Sequence, residues 1–194
     1  MTDFQFYFEL GLWHVLDWNA YDHVLFIVVL CIMYSLATWK RLLALVTVFT
    51  VGHTISLFLS GQGLTLVDAK WIEFLIPLTI MATALANMMW VWKSSRPDNT
   101  VWLYIITLFF GVIHGFGFGR YFNQINDEQA LLPLLEFALG IETAQLVVVL
   151  VMLLLGYLFY KIFPIKKQFS VLMVSSIAIL ASLLMLIENW PFKD

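Results

Sequence analysis

The sequence predicts an all-α membrane protein: a polytopic bundle of about six transmembrane helices plus a short N-terminal interfacial or re-entrant helix. Hydrophobic residues make up 62% of the 194 residues and charged residues 12%, against about a quarter charged in soluble domains. The apolar residues fall in runs of about 18 residues or more, the length that an α-helix needs to cross a bilayer. No stretch between these runs is long enough for a soluble domain, so residues 1–194 are expected to form a single transmembrane domain.

Six candidate spans follow one another along the chain. They cover roughly residues 22–39, 41–60, 71–92, 100–119, 131–160 and 169–188. The breaks between them are Lys40-Arg41, Gly61-Gln62-Gly63, Ser94 to Asp98, Asn123 to Gln129 and Pro164 to Lys167. Charges, glycines and prolines of this kind mark the ends of membrane helices. Residues 4–16 are apolar but too short to span, and they supply the short N-terminal helix.

Lysine and arginine are distributed unequally between the two sides of this bundle. The connections after the first, third and fifth spans hold seven of them: Lys40, Arg41, Lys93, Arg96, Lys161, Lys166 and Lys167. The opposite side holds three: Lys70, Arg120 and Lys193. Because positive loops stay in the cytoplasm, both termini are expected to be extracytoplasmic, with the inner membrane of a bacterium as the expected location.

All four histidines lie in or at the edge of apolar segments: His14, His23, His53 and His114. Ionisable groups inside a membrane are costly and are retained mostly for function. The last three lie in different predicted helices, toward the outer side; at 1.5 Å per residue, His53 is about 10 Å deep and His114 about 8 Å. Imidazoles combined with carboxylates are the ligands of divalent transition metals. The sequence therefore predicts an intramembrane metal site.

Carboxylates accompany the histidines and complete the expected set. Glu142 lies about 16 Å into the fifth span, near the midplane, and is expected to form the floor of the site. Neighbouring residues on a helix point about 100° apart, so of Asp22 and His23 one is expected to ligate and the other to orient a ligand. The full candidate set is His14, Asp17, Asp22, His23, His53, Glu73, His114 and Glu142.

Several candidates have an alternative that needs no metal. Asp22 is well placed to cap a helix, and His53 could form a structural hydrogen bond between helices. Glu73 could be merely interfacial, and His14 with Asp17 could form a lid or contact lipid headgroups. Gly111, Gly115 and Gly119 form two overlapping G-x-x-x-G patterns, which are typical of a tight helix-packing face beside His114.

These motifs, in this order, resemble the HupE/UreJ family of small membrane proteins. The matching residues are His14, Asp22-His23, Phe49-Thr50-x-x-His53-Thr54, Ile72-Glu73, Gly111-x-x-His114-Gly115-x-Gly117-Phe118 and Gly140-x-Glu142-x-x-Gln145. They cover roughly residues 9–150. One position departs from the family pattern, since Ala138 stands where the family has asparagine. The resemblance implies a nickel or cobalt permease, associated with hydrogenase and urease systems, that imports a divalent metal from the extracytoplasmic side.

Three functions remain open from the sequence. The first is a permease that binds nickel, cobalt or zinc in an outward-facing site, with the metal ion and the lipid bilayer as its partners and no role in binding nucleic acid. The second is an intramembrane zinc hydrolase that acts on a lipid or a membrane peptide, with Glu142 or Asp22 as general base. The third is a structural or sensory metal site. Site chemistry alone does not choose among these three.

Overall fold

The computed structural model describes residues 3–18, 21–64, 67–93, 100–126, 130–163 and 165–192. Its helices are α1 (Asp3–Leu16), α2 (Asp22–Cys31), α3 (Trp39–Gly61), α4 (Ala69–Trp92), α5 (Thr100–Ile125), α6 (Leu131–Ile162) and α7 (Lys167–Glu188), with a 3-10 turn at Leu36–Thr38. In the part of the chain described, α3 to α7 are five helices long and apolar enough to cross a membrane. The predicted all-α membrane bundle is confirmed.

The first predicted span is not one helix. The helix that begins at Asp22 ends at Cys31 after 10 residues. Beyond it, Ser35 and Thr38 satisfy each other locally: the Ser35 amide donates to Thr38 Oγ1 (3.1 Å), and the Thr38 hydroxyl donates to the Ser35 carbonyl (3.2 Å). Such local bonds start a new helix instead of extending the old one. The prediction of a continuous span over residues 22–39 is therefore wrong.

The two short helices, α1 and α2, lie one after the other along α6. Gly11 on α1 faces the backbone of Phe137 and Ile141, early in α6. Cys31, at the end of α2, lines a cavity together with Leu153 and Gly156, late in α6. Their 14 and 10 helical residues add up to about 36 Å at 1.5 Å per residue. We interpret α1 and α2 as two halves of one interrupted crossing, so the bundle keeps six crossings.

The direction of α1 follows from its contacts with α5. The Tyr7 hydroxyl donates to the carbonyl oxygen of Ile125 (3.3 Å), and the Tyr7 ring lies 6.3 Å from that of Phe122. His14, two turns later, lies 4.0 Å from the Phe118 ring, measured between centroids. As α1 advances, its contacts on α5 therefore move backward, so α1 runs antiparallel to α5. Its C-terminal end points into the middle of the bundle.

One end of the bundle is basic. The Lys167 ammonium donates to the carbonyl oxygens of Met33 (2.8 Å) and Tyr34 (2.9 Å), in the connection between α2 and α3. The basic end, as it is called below, carries the described residues Lys40, Arg41, Lys93, Lys161, Lys166 and Lys167. Arg96 and Lys193, which also entered the sequence argument, lie outside the described residues.

Close packing of α3 against α5 depends on glycine. A Cβ on Gly111 would collide with the Phe49 carbonyl, and one on Gly52 would collide with the Leu108 carbonyl. A Cβ on Gly115 would meet the backbone of His53. Small residues of this kind let two membrane helices approach until their backbones touch. The packing face predicted from the G-x-x-x-G pattern is confirmed, and it brings the segments around His53 and His114 together.

Adding one methyl group at this contact should destabilise the protein. Gly111→Ala should lower the free energy of unfolding by about 1–3 kcal/mol, because the new Cβ must displace a backbone carbonyl. The measurement is the apparent Tm of purified protein in detergent. Gly156→Ala is the matched control on α6, where an added Cβ has nothing within 4 Å. Equal Tm values for both variants would contradict the proposed tight contact.

Candidate metal centre

All four histidines converge in the middle of the bundle. They come from the last turn of α1 (His14), the first turn of α2 (His23), the middle of α3 (His53) and the second half of α5 (His114). The ring centroid of His23 lies 4.6 Å from that of His14, 5.8 Å from His53 and 5.3 Å from His114, and His14 lies 5.4 Å from His53. The interruption between α1 and α2 is what places two of these rings side by side.

Three of the rings are close enough to share one ion. One ring nitrogen from each of His14, His23 and His53 lies within 4.8 Å of the other two. Metal–imidazole bonds of about 2.0–2.1 Å require ligand nitrogens somewhat closer than this, so modest ring rotation would bring them onto one metal. His114 is outside this group of three, but its ring is next to that of His23.

The ring nitrogens are buried without protein partners. His53, His114 and His23 are 0%, 1% and 3% exposed. Within the described residues, no hydrogen bond reaches Nε2 of any of the four histidines, or either nitrogen of His53. Buried polar atoms are almost always paired, and an unpaired one is destabilising. His53 therefore forms no hydrogen bond between helices with the described residues, which was the alternative to a ligand role. A bound cation would satisfy one nitrogen of each of the three rings that can share it, His14, His23 and His53.

Two of the rings are held in the form that a metal needs. Nδ1 of His114 donates to the carbonyl oxygen of Phe110 (2.8 Å). Nδ1 of His23 lies 3.2 Å from Oδ1 of Asp22. A proton held on Nδ1 leaves the lone pair on Nε2, and a carboxylate behind the ring also raises its basicity as a ligand. Asp22 therefore orients His23; Tyr21, not Asp22, occupies the cap position of α2.

Helix ends add a favourable field. The C-terminal end of α1 lies beside the histidines because His14 is in its last turn. Helix C-termini carry a partial negative charge, which favours a cation. The opposite effect of the α2 N-terminus is offset by Asp22 in its first turn. Interrupted helices that face an ion with their ends are a recurrent way to build a site at the midplane of a membrane.

The other candidate carboxylates lie outside the group of three histidines. Glu142 accepts hydrogen bonds from the hydroxyls of Thr47 (2.6 Å) and Thr50 (2.5 Å) on α3. It lines a groove of about 800 Å³ between α3 and α6, open on one side and otherwise mostly apolar. Thr50 is three residues before His53, so Glu142 is about one helical turn closer to the basic end. Its role as the floor of the site stays a prediction.

Glu73 and Asp17 are exposed, the first at the start of α4 and the second in the interruption after α1. The candidate set from the sequence omits Glu136, which is 7% exposed and whose Oε2 has no partner among the described residues. The set includes His14, but nothing in the sequence showed that this residue lies beside His23. Recognising two half-length helices that share one crossing would have placed His14 beside His23.

A family model described as "HupE / UreJ protein" matches residues 1–191, nearly the whole chain. No curated protein and no solved structure matches the chain.

Metal affinity should depend on the histidines and on the carboxylate behind one of them. Asp22→Asn should weaken divalent metal binding by about 10–100-fold, the usual effect of losing a group that orients a ligand. His53→Ala should weaken it further, because it removes a ligand atom. The measurement is equilibrium dialysis of purified protein against nickel or cobalt. Glu73→Gln is the control, and equal affinities in all four proteins would reduce the histidines to packing residues.

Proposed function

The chain belongs to the HupE/UreJ family of membrane proteins related to nickel and cobalt transport, and we propose that it imports a divalent transition metal through its histidine cluster. The observation that carries the proposal is the set of buried ring nitrogens, near the junction of α1 and α2, that have no partner among the described residues. Neutral imidazoles bind nickel, cobalt and zinc alike, and affinity order does not choose among them. Nickel or cobalt is favoured by the family, and zinc is the chemical alternative.

The negative charges near the cluster support a cation as cargo. A divalent ion among neutral imidazoles would be a costly charge inside a membrane. Asp22 is in contact with His23, and Glu142 lies about one turn of α3 from His53. Each carboxylate lowers the cost of the bound charge without itself joining the three-histidine group. The Thr47 hydroxyl also donates a hydrogen bond to Glu142 and helps to hold this carboxylate in place.

Import requires that the basic end face the cytoplasm. The described lysines and arginines are concentrated there, while Lys70 and Arg120 lie at the opposite end, and positive ends are retained in the cytoplasm. Both termini are then extracytoplasmic, in the inner membrane of a bacterium.

Cysteine labelling tests this orientation. Lys93→Cys should react with a membrane-impermeant thiol reagent only in inverted vesicles, and Leu64→Cys only in intact cells. The native Cys31 is buried, so its background labelling should be low. The reverse pattern would place the histidine cluster on the wrong half for capture from outside.

Cells that express the protein should accumulate more radioactive nickel or cobalt than cells with the empty vector. His53→Ala should lose this accumulation, since the ligand is gone. Glu142→Gln should reduce it while retaining some metal at the histidines, because a cation near the midplane loses a counter-charge. Glu73→Gln should match the wild type.

If cells with the metal-loaded wild type accumulate no more radioactive metal than cells with the empty vector, the permease proposal fails. One observation would then favour an intramembrane hydrolase as the second candidate. The groove of about 800 Å³ beside Glu142 is open on one side, so a lipid tail or peptide segment could reach a carboxylate from within the bilayer. Zinc-dependent cleavage of a lipid or membrane peptide by purified protein would be the assay.

A further inference from the structure

Three helices repeat the same order of side chains between the histidine cluster and the basic end. Each goes from a histidine to a phenylalanine one turn away, and then to a residue that lines a cavity. The three series are His23, Phe26 and Leu30 on α2; His53, Phe49 and Leu45 on α3; and His114, Phe110 and Thr107 on α5. Spacings of three and four residues put each series on one helix face. The bundle therefore has a histidine layer, a phenylalanine layer and a cavity in succession.

The phenylalanine layer is closely packed. The rings of Phe26 and Phe49 stack with centroids 4.9 Å apart, and Phe110 meets Phe26 edge-on at 6.2 Å. Phe26 is 2% exposed and Phe49 is 1% exposed. The layer also contacts the histidines directly, with the His114 ring 5.0 Å from Phe49 and 5.6 Å from Phe26. A closed apolar layer of this kind excludes water and therefore a hydrated ion.

Beyond this layer lies a partly enclosed cavity of about 210 Å³ between α2, α3, α4 and α5. It has room for several water molecules. Its wall includes polar groups from α4 and α5. Thr83 and Asn87 are on α4, and the Asn87 amide donates to the Val29 carbonyl oxygen (2.7 Å); Thr107 is on α5. These offer weak neutral oxygen ligands and no carboxylate, so a cation could pass without being retained.

The cavity reaches the basic end. Met33, Tyr34 and Arg41 line it, and Met33 and Tyr34 are the residues whose carbonyl groups bind Lys167. Arg41 is exposed at this mouth.

We propose that Phe26, Phe49 and Phe110 form a closed hydrophobic gate, and that the cavity beyond them is the second half of the metal's route. This inference rests on the proposed function. The gate and the cavity together would form the inward path for the metal. The sequence does not reveal this path, because the half of the bundle near the basic end has few polar residues. Passage requires the gate to open by ring movement, because the histidine layer and the cavity are separated by side chains alone.

The first test measures metal entry into proteoliposomes that contain a metal-sensitive dye. Phe26→Ala should raise the initial rate of nickel or cobalt entry on the order of tenfold, as expected when a dewetted constriction is widened. Phe26→Leu should give a smaller rise, and it serves if Phe26→Ala does not fold. Phe122→Ala is the matched control: it removes another phenylalanine that is 2% exposed, elsewhere in the bundle, and should leave the rate unchanged.

The second test fills the cavity. Ala86→Phe places a ring in the cavity wall and should slow metal entry while equilibrium binding at the histidines stays unchanged. A thiol reporter measures access without any metal: in a Cys31→Ala background, Thr107→Cys should react from the basic end, and Ala86→Phe should block that reaction.

The outcomes separate the two proposals. Wild-type protein that admits no metal defeats the proposed function. If the wild type admits metal but Phe26→Ala and Phe26→Leu do not raise the entry rate and Ala86→Phe does not lower it, only the gate proposal fails. A reporter at Thr107 that does not react from the basic end also overturns the gate inference, since the cavity would then lead nowhere.

Discussion

Four imidazole rings packed against one another in an apolar interior are the constraint on which the rest of this structure depends. Their ligand nitrogens have no partners among the described residues, and unpaired buried nitrogens oppose folding. Nearby features prepare the rings to bind a cation. Asp22 and the Phe110 carbonyl hold two rings by Nδ1, and the α1 C-terminus contributes its dipole. A divalent cation is the ligand that would use all of these features together, because it needs lone pairs and negative potential at one point.

The close contact of α3 with α5 connects this cluster to the remainder of the bundle. Glycines at positions 52, 111 and 115 allow the two backbones to touch. The same helices then carry parallel series of histidine and phenylalanine, so one packing interface aligns both the binding layer and the layer beneath it. A single change that separates α3 from α5 would disturb metal affinity, the phenylalanine layer and stability at once. The α3–α5 contact therefore serves binding and stability together, whereas the groove beside Glu142 lies between α3 and α6 and is open on one side.

Much of the architecture followed from the sequence because hydrocarbon imposes simple rules. Apolar runs of sufficient length predicted α3 to α7, and the G-x-x-x-G pattern predicted a packing face that the structure confirms. Hydropathy failed at residues 22–39, because Ser35 and Thr38 end one helix and begin another through local hydrogen bonds. It also gave no sign that the short helix α1 and α2 share one crossing, since that depends on how both pack along α6.

The sequence by itself determined that this chain is a helical membrane protein with histidines at membrane depth, because the length of an apolar run and the cost of a buried imidazole are local properties. Only the tertiary structure decided which groups meet. It brought His14 to His23 across an interruption, set Glu142 against Thr47 and Thr50, and left Glu73 exposed. Residue depth can be counted along one helix, but the direction in which a side chain points, and what it touches, is fixed by the rotation and packing of its neighbours.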